Sequence, residues 1–301
     1  MFKSVAELLE ICERENKLIS EVMIDFEVKR QELSREKIIA KMKQNLDVMR
    51  LSVEKGLKGV TSSTGLTGGE AKKLQTYLQA GKNLSGECVL KACAAAIATN
   101  EVNAAMGVIC ASPTAGSAGT LPGVLFTLEE KLQLTEAQML NFLFTSGAFG
   151  LITANNAFIA GAAGGCQAEI GTSSAMGAAA AVEVAGGSPE QSAQGFAMAM
   201  ANMLGLVCDP VAGLVEVPCI KRNAAGASNA LIAADMALAG LVSEIPVDEV
   251  IAAMYEIGVA MPTQFKETAE GGLANTPTGR LIQEQIFGRS SGCGGCKKIG
   301  G

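Results

Sequence analysis

Apolar positions recur every three or four residues through the first sixty residues. Ile38, Ile39, Met42, Leu46, Met49 and Val53 form one such stripe, the signature of a helix with one buried face. The pattern predicts charged amphipathic helices over 4–14, 17–31 and 34–57. After Gly59 the pattern changes. Ala-rich segments without a polar face are separated by loops of Gly, Ser and Thr, as expected of helices buried on all sides. Thr135-Glu136-Ala137-Gln138 and Ser188-Pro189-Glu190-Gln191 each read as a helix-starting capping box, the second with Pro at the first helical position. Pro246, with Asp248 and Glu249 after it, marks another helix start. Alternating β-branched runs are almost missing, and no repeat of 20–50 residues is evident. The expectation is an all-α fold: a single, mostly helical domain in which helices 1–58 form a charged outer layer of the same unit as 59–288. A Cys/Gly-rich tail, 289–301, follows.

Composition sharpens this picture. Hydrophobic residues make up 49% of the 301 and charged residues 18%, which excludes intrinsic disorder. The formal net charge of −6 argues against a general grip on nucleic acid. Charge is concentrated at the start: residues 1–60 hold 23 of the 54 charged side chains, and none lies between Glu136 and Glu169. That charge-free stretch approaches the length of a membrane span. Asn141, Asn155, Asn156 and several glycines interrupt it and no aromatic belt flanks it, so tightly packed core helices, and no membrane, are expected. The N-terminus lacks the apolar core and cleavage site of a signal peptide, which leads to the expectation of a cytoplasmic chain with reduced thiols. There is no His, so this chain supplies neither an imidazole base nor a His-ligated metal.

Three loops combine Gly with hydroxyl side chains. The first holds Ser62, Ser63, Thr64, Gly65, Thr67 and Gly68; the second holds Ser112, Thr114, Ala115, Gly116 and Ser117; the third runs Asn275-Thr276-Pro277-Thr278-Gly279-Arg280. Backbone approaches a ligand closely at Gly, and free N–H groups at helix starts receive anions, so such loops suit a small carboxylate or phosphate. Each also reads as an ordinary helix-capping turn. None has the lysine of a phosphate-binding P-loop.

Nine cysteines remain to be placed. Cys12, Cys88 and Cys93 fall inside expected helices and read as packing residues. Cys166 follows Gly164-Gly165, Cys208 precedes Asp209-Pro210, and Cys219 follows Pro218. Each stands at a turn or helix end, where a thiolate is accessible and favoured by N–H dipoles. Three such thiolates could hold three irons of a [4Fe–4S] cluster, although no CxxCxxC run marks one. Cys293 and Cys296 form a CxxC in the tail, either a metal clip, a redox pair or part of an unstructured end.

The segments STGLTGGEAKKLQ, ASPTAGSAGTLPG, AAGGCQAEIG, LVCDPVAGLVEVPCIKRN and GLANTPTGR resemble the α chain of bacterial iron–sulfur L-serine dehydratases, and the resemblance runs through nearly all of residues 1–290. It implies a helical catalytic domain with a [4Fe–4S] cluster on Cys166, Cys208 and Cys219, an open fourth iron acting as Lewis acid, and no pyridoxal phosphate. L-Serine would lose its Cα proton and β-hydroxyl, leaving aminoacrylate that becomes pyruvate and ammonia. The first two loops would hold the amino and carboxylate groups. A separate β chain is implied as partner. The base is either a group of that partner or Lys221, whose other reading is a structural cation paired with a carboxylate. Cys293 or Cys296 would be a tail ligand covering the open iron. Two further readings stand beside this one, a related L-cysteine desulfidase and a non-catalytic cluster-bearing subunit.

Overall fold

The computed structural model describes residues 2–288, which form thirteen α-helices. Among the described residues extended backbone pairs only at two isolated bridges, Thr61 with Gly68 and Cys208 with Lys266, so the all-α expectation holds. Helices α1 (Val5–Glu15), α2 (Ile19–Gln31) and α3 (Arg35–Lys58) start and end within two residues of the sequence-based ranges. Their buried side chains, including Leu8, Ile19 and Leu46, join the same apolar cluster as Phe142, Phe149 and Phe196 from the later helices.

At the centre lies α9 (Thr172–Val184), in which every residue from Thr172 to Glu183 is buried. Around it pack α7 (Glu136–Asn156), α10 (Pro189–Ala201), α11 (Cys219–Leu238) and α6 (Thr120–Leu132). Small side chains make this possible, because the distance between helix axes follows the side chains at the contact. An added Cβ at Gly123 of α6 would stand 2.6 Å from the carbonyl oxygen of Ala92 on α5 (Glu87–Ala104), and one at Gly56 of α3 would stand 2.2 Å from that of Ala98. Backbones in van der Waals contact replace the aromatic filling that a chain with 4% aromatic residues lacks.

Both expected capping boxes are formed, at Thr135–Gln138 and Ser188–Gln191. Pro246 stands one residue ahead of α12 (Val247–Ala260), and Asp248 in its first turn accepts from the amides of Val5 and Ala6 at 2.8 and 3.0 Å. The start of α1 is thereby capped by a carboxylate from α12. Helix α7 is long and apolar enough to cross a membrane, but Phe142, Phe144 and Phe149 on it are fully buried against other helices.

Helix α2 has no side-chain cap of its own. Glu183, at the end of α9, supplies it: Oε2 accepts from the amides of Ile19 at 3.0 Å and Ser20 at 3.4 Å. Burial pushes the Glu183 carboxyl above the usual value near 4.5. The folded chain therefore keeps a proton that the unfolded chain releases first. The stability this provides is complete below the unfolded value and is lost as pH rises through the folded one. Glu183→Gln retains an acceptor oxygen and removes the titration, so its stability–pH curve should be flatter than wild type above about pH 4.5. Glu183→Ala should lose about 1–3 kcal/mol across that range, because two buried amides are orphaned. Denaturant melts of the three proteins at a series of pH values check both.

Candidate functional site

The site is assembled from turns rather than from one helix. Cys166 ends the short α8 turn (Gly161–Gly164) and opens a wide π-turn, Gln167–Gly171, that runs directly into α9. Gln167 fastens this turn to the stretch ahead of Cys208. Its amide donates to the Leu206 carbonyl at 2.9 Å, and its Oε1 accepts from Gly205 N at 2.9 Å. Cys208 is held on its other side by residues 265–267: its amide donates to Phe265 O and its carbonyl accepts from Glu267 N, both at 2.8 Å. Cys219 is the first residue of α11, where unpaired backbone N–H groups favour a thiolate.

All three cysteines are buried. The donor atoms of Cys166, Cys208 and Glu169 lie within 4.8 Å of one another. The thiol of Cys208 donates to Cys166, and with the Arg222 guanidinium this holds Cys166 below the ordinary thiol range despite its burial. The same hydrogen bond pushes Cys208 up, and burial pushes up Cys219, on which the charges of Cys166 and Glu169 also act. No disulfide joins the seven described cysteines. Only glycine fits beside the Cys208 sulfur at one point: a Cβ at Gly161 would stand 2.8 Å from Cys208 Sγ. Two thiols and one carboxylate thus share a donor group, with Cys219 buried outside it at the start of α11, and the thiols favour a soft metal over a hard cation.

The first turn of α11 organises the surroundings. Arg222 Nη1 donates to Val207 O at 2.8 Å and approaches Cys166 Sγ at 3.5 Å, while Nη2 pairs with Asp209 at 2.8 Å. Asp209 in turn accepts from Leu273 N at 2.7 Å. Asn223, fully buried, donates to Gly116 O at 2.7 Å and accepts from the amides of Gly119 and Thr120 at 3.0 and 3.1 Å. It thereby caps α6 and pins the second loop to the helix that carries Cys219.

The family model for the serine dehydratase alpha chain matches residues 14–274. The chain belongs to this family. Cys166, Glu169, Cys208, Cys219 and Arg222 of this serine dehydratase α-chain family member all lie inside the matched range. It is 63% identical over 292 residues to a probable L-serine dehydratase α chain of Bacillus subtilis, covering 97% of each protein. It is 42% identical over 288 residues to the L-serine dehydratase α chain of Peptoniphilus asaccharolyticus, covering 95% of this chain and 99% of that one. Against the L-serine dehydratase of Streptomyces coelicolor it is 37% identical over 281 residues, covering 91% of this chain but 60% of that protein.

The three loops singled out in the sequence are placed differently. In the second, the Thr114 hydroxyl donates to Glu169 and Ser117 bonds to Thr114 at 3.1 Å, so the loop edges the donor set. Ser112 and Gly116 are buried and Ala115 is exposed. In the first, Thr64 and Thr67 donate to Glu216 at 2.9 and 2.8 Å, and Ser62 bonds to Thr64 at 3.0 Å. Ser63 and Gly65 are exposed, and Gly68 packs against Thr61. This loop is stitched through Glu216 to the segment joining Cys208 to Cys219. The third loop is a helix start: Thr276 caps α13 (Pro277–Phe287). Lys221 corrects the in-chain base reading. Its side chain is 65% exposed and pairs with Glu70 at 2.9 Å, so the burial that would turn a lysine into a base is absent and the structural-cation reading describes it. Cys293 and Cys296 lie outside the described residues. Sequence reasoning missed Glu169, Arg222 and Asn223. For Glu169 a signal existed, since it ends the charge-free stretch three residues after Cys166.

Asn223→Ala should lower stability by about 2–4 kcal/mol, since it uncaps α6 and leaves Gly116 O with one donor fewer. Asn223→Asp should recover part of that loss through its acceptor oxygen. Chemical denaturation of the two variants measures both effects.

Proposed function

We propose that this chain is the catalytic α chain of an L-serine dehydratase, eliminating water from L-serine to give pyruvate and ammonia, with a [4Fe–4S] cluster on Cys166, Cys208 and Cys219. The observation that carries the reading is the gathering of buried Cys166, Cys208 and Glu169 donor atoms within 4.8 Å, with buried Cys219 beside them, in a chain of the serine dehydratase α-chain family. A cluster on three thiolates supplies, at its remaining iron, a Lewis acid for a hydroxyl leaving group.

The protein's own groups do the rest. Arg222 donates toward Cys166 from a guanidinium fixed at both ends by Val207 O and Asp209, which orients the thiolate and offsets its charge. The second loop, pinned by Asn223, presents Ser112–Ser117 beside the donor set, and these residues position the substrate's polar groups. Their counterparts in the first loop, Ser62–Gly68, hold the Cys208–Cys219 segment in place through Glu216. The Cα proton needs a base. This chain has no His and its Lys221 faces solvent in an ion pair, so the base belongs to the partner β chain. Loss of that proton and of the β-hydroxyl gives 2-aminoacrylate and water. Its imine tautomer is hydrolysed to pyruvate and ammonia. The relatives named as α chains support a partner β chain, and a cytoplasmic location suits an oxygen-sensitive cluster.

Anaerobic co-purification with the β chain should give an enzyme with the visible absorption of an iron–sulfur cluster that forms pyruvate from L-serine. Cys166→Ser, Cys208→Ser and Cys219→Ser should each lose the cluster and all but about 1% of the activity, since a three-ligand site has no spare thiolate. Full iron content in any of them removes that residue from the ligand set. Sulfide release from L-cysteine without turnover of L-serine would replace this reading with a desulfidase.

Air should inactivate the enzyme, and ferrous iron with thiol should restore it, because an iron with one open position is lost readily on oxidation. Iron assays alongside the pyruvate assay follow both halves of that cycle. The α chain alone should show little turnover until the β chain is added.

A further inference from the structure

Glu169 is a buried carboxylate without a cation. It is 9% exposed, and no ion pair reaches it among the described residues. Burial pushes its carboxyl above the ordinary value, the Thr114 hydrogen bond opposes this, and the charge of another carboxylate, Glu267, adds to the push. The guanidinium of Arg222 is turned elsewhere, to Asp209, Val207 O and Cys166. Burying a carboxylate without a partner is costly, and folds that retain one commonly do so where a ligand supplies the partner.

Glycine backbone approaches this carboxylate closely on two sides. A Cβ at Gly116 would stand 2.6 Å from Oε1, and a Cβ at Gly161 would stand 3.2 Å from Oε2 and 2.8 Å from Cys208 Sγ. Oε1 is taken by the Thr114 hydroxyl. Oε2 has no hydrogen-bond partner among the described residues, and with the Cys208 sulfur it lies against the backbone of Gly161.

We infer that Glu169 binds the α-ammonium group of the substrate through Oε2, beside Gly161 and Cys208, and so makes the site selective for α-amino acids over hydroxy acids of the same size. This rests on the serine dehydratase reading above. An amino acid brings the ammonium cation that no side chain among the described residues supplies to Glu169, and the ion pair sets its α-carbon beside the donor set. Thr114 orients the carboxylate. A hydroxy acid without the amine would leave Glu169 unpaired.

The test uses the reconstituted αβ enzyme, with Glu169→Gln and Glu169→Asp beside wild type. Iron content, KM and kcat for L-serine are measured. Equilibrium dialysis compares L-serine with 3-hydroxypropionate, which keeps the carboxylate and hydroxyl and lacks the amine. Glu169→Gln should hold wild-type iron, weaken L-serine binding on the order of 100-fold and leave 3-hydroxypropionate binding unchanged or tighter. Glu169→Asp, still anionic, should fall between wild type and Glu169→Gln, and it carries the test if the glutamine variant does not fold. Equal weakening of both ligands overturns the inference. Loss of iron would make Glu169 a metal ligand, and a fallen kcat with unchanged serine binding would make it a base; either result overturns it too. Wild type that holds its cluster yet neither binds nor turns over L-serine overturns the serine reading itself, whatever the variants do.

Discussion

The hydrogen bonds of Asn223 are the constraint on which the site depends. One side-chain amide holds the carbonyl of Gly116 and the amides of Gly119 and Thr120. It fixes the second loop, the start of α6 and the start of α11 as one unit. Cys219 and Arg222 share that turn of α11, so the position of a ligand, of the cation beside Cys166 and of the loop bearing Thr114 are set together. Helical phase does the sorting. Lys221 points to solvent, Arg222 lies partly covered, and Asn223 is sealed.

A second set of ties brings the other cysteines to this unit. Gln167 joins the Cys166 turn to residues 205 and 206, Arg222 reaches Val207, and the 265–267 segment grips Cys208 from the far side. Asp209 carries the connection onward to Leu273. None of these partners is a neighbour in sequence, and none is a sheet or a coiled seam with a repeating pattern. Each joins polar groups that are distant in sequence, as burial of such groups requires.

This explains what the sequence could disclose. Local rules exposed local structure: the capping boxes at Thr135 and Ser188 and the limits of α1–α3 follow from spacing and side-chain chemistry within a few residues. Cys166, Cys208 and Cys219 stood out because Gly and Pro mark the turns that hold them. Lys221 misled because residue type alone does not give helical phase in a helix with no clear polar face. Glu216 and Asp248 were silent for another reason. They bind Thr64, Thr67, Val5 and Ala6 across more than 140 residues, and nothing near them in the chain announces it.

The small residues that build the core also build the site. Alanine and glycine let α9 be surrounded by helices at short range, as Gly56 and Gly123 do for α3, α5 and α6. The same economy beside the cysteines leaves Gly116 and Gly161 where any side chain would press on Glu169 or Cys208. Helix packing of this kind positions turns with little freedom, because backbone rather than flexible side chain is in contact. Thiol and carboxylate groups set on those turns are thus held close together without a dedicated binding helix. A core filled by larger aromatic side chains would separate the helices and draw the three cysteine-bearing turns apart.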